Sequence, residues 1–187
     1  ALPILDFNRP MTEINMREQQ ADSTFTLCGG DRVHPTTDGH LVMAYLFLKA
    51  QGLANEPVAD IAIDASTRTV NRSDNCKIDD LVVSSENISF TYLANSLPYP
   101  IDRSHYNNEL HTQADALNVI PFMDEMNYEG LAVKGLSDGY YVLKIDGKTI
   151  TRLTAGDLKR GINLAAYDNP PQNEQAQEIR RLNEQRW

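Results

Sequence analysis

An excess of nine acidic over basic side chains in 187 residues, with a pI near 4.8, argues against nucleic acid and anionic membrane as partners, because both bind through basic surfaces. Apolar content of 41% and charged content of 23% are those of a folded chain rather than a disordered one, and the length allows one domain or two small ones. The longest apolar run, residues 41–48, is far too short to span a membrane.

In chain order, Leu2-Pro3-Ile4-Leu5-Asp6-Phe7 reads as a short buried strand or the end of one. Pro10 suits the first turn of a helix running to about Gln20. Phe25 to Cys28 is a short extended piece that leads through Gly29-Gly30 into Asp31-Arg32-Val33-His34-Pro35. Thr37 or Asp38 can cap a helix from Gly39 to Gln51, which Gly52 ends. This helix is apolar almost all round, through Leu41, Val42, Met43, Tyr45 and Phe47 to Leu48. An acid and an imidazole three residues apart, stiffened by Pro35 and mounted on a buried helix, form the arrangement a general base requires.

The character changes near residues 53–57. Residues 58–64 alternate as a half-buried strand does. Residues 78–83 and 87–93 read as two more strands, the second carrying Ile88, Phe90 and Tyr92 on one face. Pro98 and Pro100 make the following stretch a connector. Residues 104–117 are polar and helix-compatible, and 122–126 can form a short helix. Residues 131–136 lead to a turn at Asp138-Gly139. Residues 140–145 and 148–153 then flank Asp146-Gly147, a type I′ hairpin signature. Thr154 with Asp157 reads as a helix cap, Gly161 as its left-handed stop. Asn169-Pro170-Pro171 opens a last helix with Ala176, Ile179 and Leu182 on one stripe. The expected domains are residues 1–54, the end of an α/β domain, and 55–187, an antiparallel β-rich module with short helices.

The block Asp31-Arg32-Val33-His34-Pro35, with Gly39-His40 and the helix behind it, resembles the last conserved block of the SGNH (GDSL) hydrolases. The stretches Gly139 to Gly147 and Gly161 to Ala165 are similar to the β-rich extension some members carry. The resemblance implies a flavodoxin-like α/β/α catalytic domain, here only its C-terminal remnant, followed by a β-sandwich-like module. It implies a Ser–His–Asp triad in which His34 is the general base and Asp31 orients it. The family's Ser nucleophile stands in a Gly-Asp-Ser motif, with Gly and Asn oxyanion donors after it. No Gly-Asp-Ser occurs in this sequence, and thirty residues precede Asp31. The N-terminal part of the catalytic domain is therefore an expected partner, and the chain alone is expected to be inactive. The expected substrate is an acyl ester or an O-acetyl ester of a carbohydrate, and no cofactor is implied. With no signal peptide in the chain and Ala1 at its start, we expect a processed or trimmed piece of a secreted or periplasmic protein.

Other readings attach to particular residues. Asp31, His34, Asp38 and His40 fall within ten residues and have the ligand types of a zinc site, but Gly39-His40 is part of the resemblance to the family block, which implies a His that is usually structural, so no metal is expected. His105 and His111 lie in a polar stretch and are expected in solvent. Asp79-Asp80 and Asp124-Glu125 are ordinary surface acid pairs. Ser137 reads as a turn residue, not a nucleophile. Cys28 and Cys76 can be free thiols or one disulfide. Tyr92, Tyr99, Tyr106, Tyr128, Tyr140 and Tyr141 suit strand packing, and they also allow an alternative function, a non-catalytic carbohydrate-binding or interaction module.

Overall fold

The computed structural model describes residues 4–84, 87–106 and 110–186. It divides into two compact units: residues 1–54 with 101–122, and residues 55–100 with 123–187. The expected second domain ran unbroken from 55. Instead, residues 101–122 return to pack with the first 54.

The first unit is helical. Helix α1 (Asn8–Glu18) carries Pro10 in its first turn, where a missing N–H costs nothing, and buries Ile14. The strand expected over residues 2–7 does not form at its described positions: residues 4–7 are irregular and Ile4 is almost fully exposed. Its first two residues lie outside the described ones. A strand needs a neighbour for its N–H and C=O groups, and this segment runs directly into α1. Helix α2 (Thr37–Ala50) buries Leu41, Val42 and Tyr45. Its cover is the returning segment, whose 3-10 turn Gln113–Asn118 packs on it and buries Ala116, with Val119, Ile120 and Phe122 also buried. That turn replaces the longer helix expected over 104–117, of which residues 107–109 lie outside the described ones. The described pairing in this unit is a single bridge, Cys28 with Pro35. A flavodoxin-like sheet is therefore not seen among the described residues.

The second unit is built on a four-stranded mixed sheet. Strand β1 (Ala59–Asp64) pairs antiparallel with β2 (Thr69–Asp74) and parallel with β5 (Glu129–Lys134), which pairs antiparallel with β8 (Ile162–Asn163). The parallel pair corrects the all-antiparallel expectation. A tight hairpin cannot join parallel strands, and here the long excursion between β1 and β5 supplies the crossover. Strand β2 was not legible because every residue in it is exposed and all but Val70 are polar. It pairs along one edge of the sheet, a position where polar strands are tolerated.

Two hairpins complete the β structure. Strand β3 (Cys76–Val83) pairs with β4 (Ile88–Ala94), and Ile88, Phe90 and Tyr92 pack against the core, as their alternation predicts. Strand β6 (Tyr140–Ile145) pairs with β7 (Lys148–Thr154). Asp146 (φ 50°) and Gly147 (φ 78°) both take positive φ, which is what a type I′ turn demands. Helix α3 (Phe122–Glu125) is the short helix expected over 122–126. Helix α4 (Ala155–Arg160) starts on a capping box: the Thr154 hydroxyl accepts from the Asp157 N–H, and the Asp157 carboxylate accepts from the Thr154 N–H. Gly161 ends it at φ +91°, ψ 148°, positive in φ but outside the left-handed helical region. The core comprises Ile61, Ile63, Leu131, Val133, Leu153, Leu158 and Leu164, each side chain contributing about 1.5–3 kcal/mol on burial. Helix α5 (Pro171–Glu184) buries Ala176 but leaves Ile179 and Leu182 nearly half exposed, so the expected stripe is only partly used. Among the described residues no helix is long and apolar enough to cross a membrane.

Candidate functional site

The Asp31–His34 loop is shaped from both sides by ordinary backbone chemistry. On its incoming arm, fully buried Leu27 donates its N–H to the Asn15 side chain of α1 at 2.9 Å, and the Gln19 amide donates to the Phe25 carbonyl at 2.8 Å. On its outgoing arm, the Thr36 N–H donates to the Leu27 carbonyl at 3.0 Å. Between the arms, the Gly29 N–H donates to the His34 carbonyl at 2.8 Å, and the Arg32 N–H to the Gly29 carbonyl at 2.9 Å. Residues 29–34 are thus a closed loop. The reversal at its tip puts Arg32 at φ 60°, an uncommon region for a non-glycine residue.

Inside that loop the Asp31 carboxylate does three things. Oδ1 accepts from the Val33 N–H at 3.0 Å and from the His34 N–H at 3.1 Å, and Oδ2 faces His34 Nδ1 at 2.6 Å. These hydrogen bonds, that of His34 first, hold the Asp31 carboxyl well below the usual carboxylate range, at about 2. An ionised Asp31 can only accept, so it selects the tautomer with the proton on Nδ1 and leaves Nε2 with its lone pair. The His34 side chain is 84% exposed, so that nitrogen is open to a reactant. The loop thus presents an oriented, accessible base.

The other residues singled out by sequence go elsewhere. His40, exposed, has Nδ1 3.0 Å from the Thr36 carbonyl, a contact that serves the start of α2. Asp38 is buried and pairs with His111, Nδ1 to Oδ2 at 3.1 Å. This corrects the expectation that His111 is merely solvated: it comes in on the returning segment, which sequence reasoning did not place beside α2. Among the described residues no group of three or more His, Cys, Asp and Glu is arranged to hold a metal. Both cysteines are free. Burial first, then Asp31 and Asp38, push the Cys28 thiol up, which makes it a poor nucleophile. Ser137 is exposed, in the connection between β5 and β6, and its carbonyl accepts from the Tyr141 hydroxyl.

Two features of the second unit carried no sequence signal. Glu129, on β5, is 1% exposed. Its Oε1 accepts from the Tyr92 hydroxyl at 2.8 Å and from the Gln172 amide at 3.1 Å, while Oε2 has no hydrogen-bond partner among the described residues. Burial raises its pKa, against the pull of both hydrogen bonds. A cleft of about 600 Å³ is lined by Pro98, Tyr99, Pro100, Met126, Ile179 and Arg180, among others. Tyr99 is held there by the Asn127 side chain, which accepts from its N–H at 2.7 Å and donates to its carbonyl at 3.0 Å.

No protein-family model matches the chain, and no curated protein does. Among solved structures, a gut microbial diltiazem-metabolizing enzyme matches 97% of this chain at 48% sequence identity and a TM-score of 0.93. The chain spans 41% of that enzyme's length. The mixed α/β fold described above is therefore shared with part of an enzyme.

Proposed function

We propose that this chain is the C-terminal part of a serine ester hydrolase of the SGNH/GDSL type, with His34 as general base and Asp31 as the residue that orients it. The observation that carries the reading is the 2.6 Å contact between His34 Nδ1 and Asp31 Oδ2 on an imidazole whose other nitrogen is open. The similarity to a longer enzyme supports a nucleophile located elsewhere in the whole protein. In the first step Nε2 takes the proton of the Ser hydroxyl as its oxygen attacks the ester carbonyl. The imidazolium, stabilised by Asp31, then gives that proton to the departing alcohol. In the second step water replaces the alcohol: Nε2 deprotonates it, the acyl–oxygen bond to Ser breaks, and the proton returns to the Ser oxygen. No cofactor enters either step. The substrate class in this reading is a small O-acyl ester, such as an acetylated carbohydrate, and the protein acts outside the cytoplasm.

The test is turnover of p-nitrophenyl acetate, an acetylated sugar and diltiazem by the whole protein. His34→Ala removes activity and His40→Ala spares most of it, while residues 1–187 alone show no turnover above their own His34→Ala control. Equal loss from the two histidine changes, or turnover by the chain alone, contradicts the reading.

A second reading, a carbohydrate-binding module without catalysis, draws on Tyr99 in the cleft, 42% exposed. It predicts that residues 1–187 are retarded in a polysaccharide-containing gel and that Tyr99→Ala releases them. Equal mobility with and without the polysaccharide removes it.

A further inference from the structure

The first unit contains a second Asp–His pair with a different character. The Asp38 side chain is 2% exposed, and a buried carboxylate is tolerated only when its oxygens are satisfied. Oδ1 receives the Gly39 N–H at 2.9 Å and the Thr36 hydroxyl. Oδ2 is met by His111 Nδ1 at 3.1 Å, on a ring only 32% exposed. Phe25 also meets that ring, edge-on at 6.2 Å between centroids. Phe25 belongs to the incoming arm of the His34 loop, and Asp38 to the helix that receives the outgoing arm. Thr36, which donates to Asp38, is two residues from His34, and its N–H closes the arms onto Leu27. The His111 imidazole therefore meets the incoming arm of the His34 loop at Phe25 and the helix that receives the outgoing arm at Asp38, from a segment some seventy residues further along the chain.

We infer that His111 is a positioning residue for the His34 dyad, acting through Asp38 and Thr36. The inference rests on the hydrolase reading. The Asp31–His34 hydrogen bond is local to the loop and persists without His111. What His111 fixes is where the whole loop stands relative to the reacting atoms. A misplacement of about 1 Å can cost about a hundredfold in rate, so its loss lowers kcat and leaves substrate binding nearly intact.

The experiment compares kcat, KM and thermal midpoint of the whole protein with those of His34→Ala, His111→Ala, His111→Leu and His111→Asn, using p-nitrophenyl acetate. Expected is a loss of about a thousandfold or more for His34→Ala. His111→Ala and His111→Leu lower kcat about 10- to 100-fold, with KM within about twofold. His111→Asn, whose amide N–H can stand where Nδ1–H stood, recovers kcat to within about threefold of wild type. Should His111→Ala fail to fold, the Asn and Leu variants decide alone. Equal kcat in those two overturns the inference while the loss in His34→Ala leaves the hydrolase reading standing. His111→Asn as inactive as His34→Ala also overturns it, by making His111 itself the base. Full activity in His34→Ala removes the hydrolase reading, and the inference with it.

Discussion

Gly39→Ala is the smallest change that loads the joint between the His34 loop and α2. A β-carbon at position 39 would lie 2.1 Å from the Leu27 carbonyl oxygen and 3.2 Å from both the Leu27 carbonyl carbon and the Pro35 Cβ. Carbon–oxygen contacts settle near about 3.3 Å, so one backbone must move by about 1 Å. Neither is free to do so: Leu27 is held at its N–H by Asn15 and at its carbonyl by Thr36, and residue 39 is in the first turn of α2. Overpacking of this kind costs about 1–3 kcal/mol, here at the upper end because backbone meets backbone, and the better helix propensity of Ala offsets up to about 1 kcal/mol. The net loss is about 1–2 kcal/mol, which for a chain of this size lowers the midpoint by about 2–8 °C. Thermal unfolding followed by far-ultraviolet circular dichroism measures it on residues 1–187. A midpoint equal to or above that of wild type refutes the close approach and, with it, the claim that α2 holds the loop rigidly.

Further predictions concern the loop and the second unit. Asp31→Asn in the whole protein lowers kcat by about 10²- to 10⁴-fold, because an amide can donate to Nδ1 and stabilise the wrong tautomer; steady-state kinetics check it, and an unchanged kcat removes Asp31 from the mechanism. Glu129 has a folded pKa raised above its ordinary value of 4.5 by burial. Its stabilising contribution is therefore present below about pH 4.5 and lost as pH rises through the folded value. Glu129→Gln removes that loss, so its midpoint relative to wild type climbs between pH 4 and pH 8, and a pH-independent difference contradicts the assignment. Thr154→Ala breaks one half of the α4 capping box and costs about 1 kcal/mol, read from the denaturation midpoint in urea; no change means the box does not stabilise α4.

What was legible in the sequence was local. The Asp31–His34 contact spans four residues of one loop, the type I′ turn two residues, and the α4 capping box four, and each has its own residue chemistry. The catalytic role of the dyad is not local in that sense and rests on the proposed reading. The return of residues 101–122 left almost no trace, because its buried apolar residues, Ala116, Val119, Ile120 and Phe122, are confined to its end, too short a stretch to establish a period. Without that return, His111 has no reason to meet Asp38. The parallel pairing of β1 with β5 was hidden for a related cause: alternation shows which face of a strand is buried but not which strand lies beside it. Nothing in the sequence marks Glu129, because its partners Tyr92 and Gln172 converge on it from two distant elements.

In the proposed reading His34 activates a serine carried outside these residues, and covalent labelling puts that to the test. The whole protein is treated with a fluorophosphonate, which reacts with activated serine hydroxyls, and the labelled peptide is located by mass spectrometry. One modified Ser is expected, outside residues 1–187, with loss of labelling in His34→Ala. No labelled Ser in the active wild-type protein, or labelling that survives His34→Ala undiminished, contradicts it.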